Sequence, residues 1–129
     1  MIRILGLAVN LSNVEQAIIS ELKIGPDEAK LFVVLVKRGK MEARKISNAL
    51  NWEEGRAYKT AISLVKKGMI IEIAKDEFES LHPRFAVSNR FKRRCEEENV
   101  PAKKNLKVDN IGIILESPYE NARTMNGKP

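Results

Sequence analysis

Between residues 41 and 68 the chain reads MEARKISNALNWEEGRAYKTAISLVKKG. Ala43, Ile46, Ala49 and Leu50 give the apolar pattern of one short helix. Ala57, Ala61, Leu64 and Val65, at i, i+4, i+7 and i+8, mark one face of a second. A tight break at residues 50–53 separates the two. At about 100° per residue, Arg56, Lys59, Ser63 and Lys66 fall together opposite that apolar face. Gly68, just after Lys66 and Lys67, reads as a C-terminal cap, with the lysines suited to the negative helix end. Two helices around a break, the second basic on its outer side, predict a helix-turn-helix. The next stretch, MIIEIAKDEFESLH, alternates as a strand does. It predicts a hairpin with strands over about 69–74 and 78–82 and a turn at Lys75-Asp76-Glu77. A helix-turn-helix followed by a hairpin is the order of a winged helix.

The flanks extend this unit. Ser12 or Asn13 caps a helix running to about Lys23, with Val14, Ala17, Ile18 and Leu22 on one side. Gly25-Pro26 breaks it, and Asp27 and Glu28 open the next. That helix is apolar on nearly all sides from Ala29 to Val36, so it should be the central core helix. Pro83 reads as punctuation. A helix follows from about Ser88 to Glu98, with Phe91 and Cys95 four apart. Its bases, Arg90, Lys92, Arg93 and Arg94, precede Glu96, Glu97 and Glu98, an order that opposes the helix dipole, so packing must hold it. Residues 99–104 read as a linker. Residues 105–116 read either as a helix from Asp109, with Gly112 against it, or as a strand over 111–115. Pro118 starts a last short helix to about Met125. Met1–Val9 reads as a short strand or as a segment packed on a partner. The fold expected is mainly α with a small β-hairpin wing: a winged helix-turn-helix with N- and C-terminal extensions. Residues 1–98 form the expected DNA-binding domain, with a core over about 12–98. Residues 99–129 form a C-terminal extension and a candidate dimerisation segment.

Composition narrows the setting. The 129 residues suffice for one domain, and 43% hydrophobic content supports a packed core. No apolar run approaches the roughly 20 residues of a membrane helix. Cys95 is the single cysteine, which excludes a disulfide framework and makes a cytoplasmic location the simplest expectation. Net charge is +6, which favours polyanionic partners. Residues 40–67 hold seven Lys/Arg against three acids, whereas residues 68–89 hold two against four. The helix-turn-helix is therefore basic, and the wing is mildly acidic.

Chemistry is sparse. His82 and Cys95 are the only residues of their types and lie apart, so neither a zinc site nor a Cys–His pair assembles within one chain. No glycine-rich phosphate loop, nucleophile elbow or HExxH is present. No catalytic residue, metal or cofactor is expected, and the chain is not expected to be an enzyme. The candidates for DNA contact are Arg56, Lys59 and Ser63 on the second helix, toward base edges or phosphates. Arg44 and Lys45 on the first helix would meet phosphates. Asn51 in the turn completes the set. Trp52 and Tyr58 are expected to pack, as is Cys95, and His82 to end a strand or sit in a turn.

Residues 20 to about 95 resemble the winged-helix domain of the TrmB-like regulators common in archaea. The resemblance rests on Glu28-Ala29-Lys30 opening a long apolar helix, on Ile46 and Leu50, and on Arg56, Tyr58, Leu64 and Lys66-Lys67-Gly68. Residues 81–91 (LHPRFAVSNRF) also resemble the segment after the wing in such proteins. The resemblance implies a DNA-binding transcription regulator acting on double-stranded DNA, usually as a homodimer. Two departures stand out. The second helix begins with Glu53-Glu54, and the wing tip lacks basic or glycine-rich character. These acids favour a rival expectation, a winged helix used for protein contact within the transcription machinery. Longer relatives carry a sugar-binding domain after the winged helix. The roughly thirty residues after Glu98 are too few for one, so effector sensing by that route is not expected.

Overall fold

The computed structural model describes residues 3–4 and 7–126. In chain order the elements are β1 (Arg3–Ile4), β2 (Leu7–Ala8), α1 (Val14–Leu22), α2 (Pro26–Arg38), β3 (Met41–Glu42), α3 (Ala43–Leu50), α4 (Glu54–Lys66), β4 (Ile70–Ala74), β5 (Glu77–Ser80), α5 (Pro83–Glu97) and α6 (Leu106–Asn126). The apolar stretch Met1–Val9 is described only in part, as the short antiparallel pair β1–β2; residues 1, 2, 5 and 6 lie outside the described residues. Among the described residues, no helix is long and apolar enough to cross a membrane.

The most apolar helix lies at the centre, as its sequence demands. Leu31, Phe32, Leu35 and Val36 of α2 are fully buried, and α1, α4 and α6 pack around it. Each fully buried side chain of this kind contributes about 1.5–3 kcal/mol. Pro26 at the first helical position carries no N–H that would go unpaired there. Glu28 folds back so that its Oε1 accepts from the Gly25 N–H at 2.8 Å. β3, α3, α4 and the β4–β5 hairpin then form a winged helix-turn-helix, with a three-stranded antiparallel sheet in the order β3-β5-β4. Its register pairs Met41 with Phe78 and Ile70 with Ser80. Two residues of β3 are too few to show alternation, and the sequence pattern does not reveal this strand.

The C-terminal third departs most from expectation. α5 starts at Pro83, not near Ser88. Proline ends helices from within but opens them at the first position, where its fixed φ is already helical. His82 is the cap: its Nδ1 accepts from the Arg84 N–H at 3.2 Å. Residues 106–126 form one helix, neither a strand nor two pieces, and Pro118 lies inside it. Pro118 removes one N–H from the ladder. The stripe of Val108, Ile111, Leu115 and Ala122 is buried on both sides of it, and this burial carries the helix through. Gly112, which in sequence weakens the helix reading, is where α5 and α6 meet: a Cβ there would stand 3.3 Å from the Cα of Arg84.

Three arginines of α5 and α6 cap other helices. Arg90, only 4% exposed, donates through Nε to the Leu22 carbonyl at 2.9 Å and through Nη2 to the Lys23 carbonyl at 3.1 Å. Its Nη1 meets the Glu97 carboxylate at 3.2 Å. Arg93 Nη1 donates to the Lys66 carbonyl at the end of α4. Arg123 Nη1 donates to the Val36 carbonyl near the end of α2 at 3.4 Å. Cations at these ends meet unpaired carbonyls and the negative ends of the helix dipoles. Two members of the basic run that opposes the dipole of its own helix, Arg90 and Arg93, therefore serve its neighbours.

Arg90→Ala leaves the α1 carbonyls unpaired in a buried place. We expect it to lower the free energy of unfolding in urea by about 2–4 kcal/mol, against a change within about 0.5 kcal/mol for the exposed control Lys92→Ala.

Candidate nucleic-acid interface

The turn that sets α4 against α3 is built on Asn51. Its φ of 58° is left-handed, a conformation asparagine tolerates better than most residues. The chain reverses there, and the Trp52 N–H donates to the Ser47 carbonyl at 2.9 Å. Ala57, Ala61 and Leu64 form the buried face of α4, the first two small enough for close approach of its neighbours. At its far end Gly68 has φ 79°. The Gly68 N–H bonds to the Val65 carbonyl at 3.0 Å and the Met69 N–H to the Leu64 carbonyl at 3.1 Å, a Schellman closure.

Two acids in the first turn of α2 fix the rotation of α4 about its axis. Glu28 Oε2 accepts from Ser63 Oγ and, at 2.7 Å, from Lys67 Nζ. The Glu28 side chain is 13% exposed. Burial alone would raise its pKa, but the hydrogen bonds from Lys67, Ser63 and the Gly25 N–H outweigh that and hold it below the ordinary glutamate value. Asp27 binds Arg56 side-on, Oδ2 to Nε at 3.0 Å and Oδ1 to Nη2 at 2.9 Å. That hydrogen-bonded pairing lowers the Asp27 pKa. The Arg56 guanidinium also lies over the Trp52 ring, 4.5 Å from its centroid.

This rotation revises the predicted basic face. Ser63 does not point outward with Lys59 and Lys66; it turns toward α2 and donates to Glu28. Arg56 lies on the same flank, exposed but held by Asp27. The outermost line of α4 is Gly55, Lys59 and Lys66, opposite the buried alanines. Lys59, and Arg44 and Lys45 on α3, are exposed and make no ion pair among the described residues. Asn51 is exposed at the corner between the helices.

Gly55 has no structural reason to be glycine. A Cβ there would meet nothing within 4 Å. Glycine inside a helix costs about 0.5–1 kcal/mol relative to alanine. The position lines an open notch of about 350 Å³ with Ala43, Glu54, Tyr58 and Asp76, between the first turn of α4 and the wing tip. Tyr58 meets Phe78 edge-on, with centroids 6.1 Å apart. The wing tip is a tight turn in which Asp76 has φ 61°. Its carbonyl accepts from the Ala43 N–H at 2.8 Å and its own N–H donates to Glu72 Oε2 at 3.0 Å.

Away from this surface, the ligand atoms of His82, Glu116 and Glu120 lie within 4.8 Å of one another. His82 Nδ1 is already an acceptor for the Arg84 N–H, so the neutral ring carries its proton on Nε2. That nitrogen faces Glu116 Oε2 at 3.5 Å and offers the glutamates a proton, with no lone pair left for a metal. The sequence does not show this cluster, because helix α6 brings the glutamates to the histidine from more than thirty residues away. Cys95 is buried and free.

A family sequence model described as "Sugar-specific transcriptional regulator TrmB" matches residues 19–86. No curated protein and no solved structure matches the chain.

The matched span contains Glu28 and its partners in α4. Because the folded pKa of Glu28 lies below its reference of 4.5, its stabilising contribution is complete above that value and is lost as pH falls through the folded pKa. Glu28→Gln should therefore cost about 1–3 kcal/mol at pH 7. Urea unfolding of the two proteins should converge as the pH is taken below the glutamate range.

Proposed function

Because the chain belongs to the TrmB family of transcriptional regulators, we propose that it binds double-stranded DNA through α4 and acts there to regulate transcription. The observation that carries this reading is the outer line of α4. Gly55, Lys59 and Lys66 are exposed, and neither the wing nor α6 covers them. In this reading α4 enters the major groove, its N-terminal turn nearest the bases. Lys59 meets the DNA from α4, while Arg44 and Lys45 neutralise phosphates from α3. Asn51 and Ser63 have smaller parts: Asn51 lies at the edge of the contact, and Ser63 positions α4 through Glu28. The family is one of regulators rather than of enzymes, and no step of this mechanism needs a cofactor. The proposed location is the cytoplasm.

A homodimer fits this mode, since one small module buries little DNA surface. The main apolar stripe of α6 is already covered by its own chain, so a self-contact would use the side chains left outside. Leu106 and Ile113 are 58% and 47% exposed and lie seven apart on the same side of α6.

The rival reading, protein contact within the transcription machinery, has the wing in its favour. β4 is an edge strand with Ile71 and Ile73 exposed, and Glu72, Asp76 and Glu77 surround it with negative charge.

Binding to random-sequence duplex DNA at several salt concentrations separates the two. A regulator binds at low salt and weakens along a straight line in log K against log salt. Arg44→Ala, Lys45→Ala and Lys59→Ala should each make that slope shallower by roughly 0.9 for every phosphate no longer neutralised. Absence of duplex binding at low salt would favour the rival. Light scattering should return twice the 14.6 kDa chain mass, falling to the single mass in a Leu106→Glu, Ile113→Glu variant.

A further inference from the structure

We propose that Asp27 and Trp52 turn Arg56 into a fixed reader of guanine, so that a carboxylate on α2 sets part of the sequence preference of α4. The inference rests on the DNA-binding reading above and adds to it the base that is recognised.

A guanidinium has five N–H donors in one plane. Asp27 takes the side edge, Nε and one Nη2 hydrogen. The end edge, formed by Nη1 and the second Nη2 hydrogen, has no partner among the described residues. The Trp52 ring lies beneath the guanidinium carbon, 4.5 Å from it at the centroid, and gives the group a second restraint besides Asp27. Of the three donors that remain, two form this end edge as parallel N–H groups, and the third, on Nη1, points back along the side chain. Guanine presents two adjacent acceptors, O6 and N7, to the major groove, and an arginine fork matches them bidentately.

The same carboxylate argues against a phosphate role for Arg56. An Asp–Arg pair is close to neutral and attracts a phosphate weakly, and Asp27, 43% exposed at its side chain, would repel one that came near. Lys59, Arg44 and Lys45 carry no such partner. Position agrees with this division of labour. Arg56 sits in the first turn of α4, the part of a recognition helix that reaches base edges. Its neighbour Gly55 has no side chain, and a Cβ there would meet none of the described residues within 4 Å, so the turn is open at that position.

The test is selection of duplexes with a randomised core on the full chain, followed by affinity measurements on the recovered motif and on random duplex. The unaltered protein should enrich guanine at one position that depends on Arg56, by roughly 5- to 150-fold over the other bases. Arg56→Lys keeps the charge, loses the fork, and should flatten that position. Asp27→Ala should flatten the same position alone while binding random duplex more tightly at low salt, since it removes a negative charge from the contact. Lys59→Ala should weaken all sequences alike and leave the guanine preference intact. A purely structural role for Asp27 would instead lower affinity for every sequence together with the melting temperature. A guanine preference untouched by Asp27→Ala, or a motif with no guanine that depends on Arg56, overturns this inference and leaves DNA binding standing. Failure of the unaltered protein to bind any duplex at low salt overturns both.

Discussion

The placement of α4 depends on one carboxylate. Glu28 closes the N-terminus of α2 with one oxygen and, with the other, reaches Ser63 and Lys67 near the end of α4. A mostly buried acid is costly to desolvate, and only its full set of donors makes the charged form favourable. Asp27, next in the chain, ties the opposite end of α4 through Arg56. Two ties, one near each end, fix both where the helix lies and how it is turned. The apolar contacts beneath it, Ala57 and Ala61 above all, would tolerate some rolling; the polar ties do not. This is why Gly55, Lys59 and Lys66 face outward while Ser63 faces in.

Net charge is a poor guide to where this chain could hold a polyanion. Residues 90–129 carry nine Lys/Arg against six acids. Arg90, Arg93 and Arg123 there are engaged by helix-end carbonyls, and Arg94 pairs with Glu98 at 3.1 Å. A charge already neutralised by a carboxylate, or bonded to a carbonyl inside the fold, releases few counterions on meeting DNA. Lys92, Lys103 and Lys104 of that stretch are exposed and without an ion pair among the described residues, but they lie outside the helix-turn-helix. Arg44, Lys45, Lys59 and Lys66 are the open cations on α3 and the outer line of α4, within the region whose sequence is most basic.

What could be read from the sequence was what local periodicity encodes. The apolar run of α2 and the helix face of Ala57, Ala61, Leu64 and Val65 appear in the structure where the spacing places them. So do the two strands of the wing, although only β5 alternates in burial: Ile71 and Ile73 of the edge strand β4 are exposed along with their neighbours. The winged helix follows from their order. What escaped the sequence depends on partners far away in the chain. A helical wheel puts Ser63 among the outward residues, because its true neighbour lies thirty-five residues earlier. Arg56 reads as a free cation until Asp27, twenty-nine residues away, is brought to it. The capping arginines reach across 67 to 87 residues or, for Arg93, across 27. Pro83 and Pro118 show the same limit from another side: a proline opens one helix and is carried inside another, and the difference lies in what packs around it.

The hydrogen bond from Ala43 to the carbonyl of Asp76 fastens the loop of the hairpin to the start of α3. A hairpin moored at its tip as well as its base has no hinge of its own. The two-helix unit and its appendage are therefore held at one span by this bond, as a mould is. Any double helix accepted by such a mould has to supply the give itself, so flexible pyrimidine–purine steps would be favoured even at positions no side chain touches.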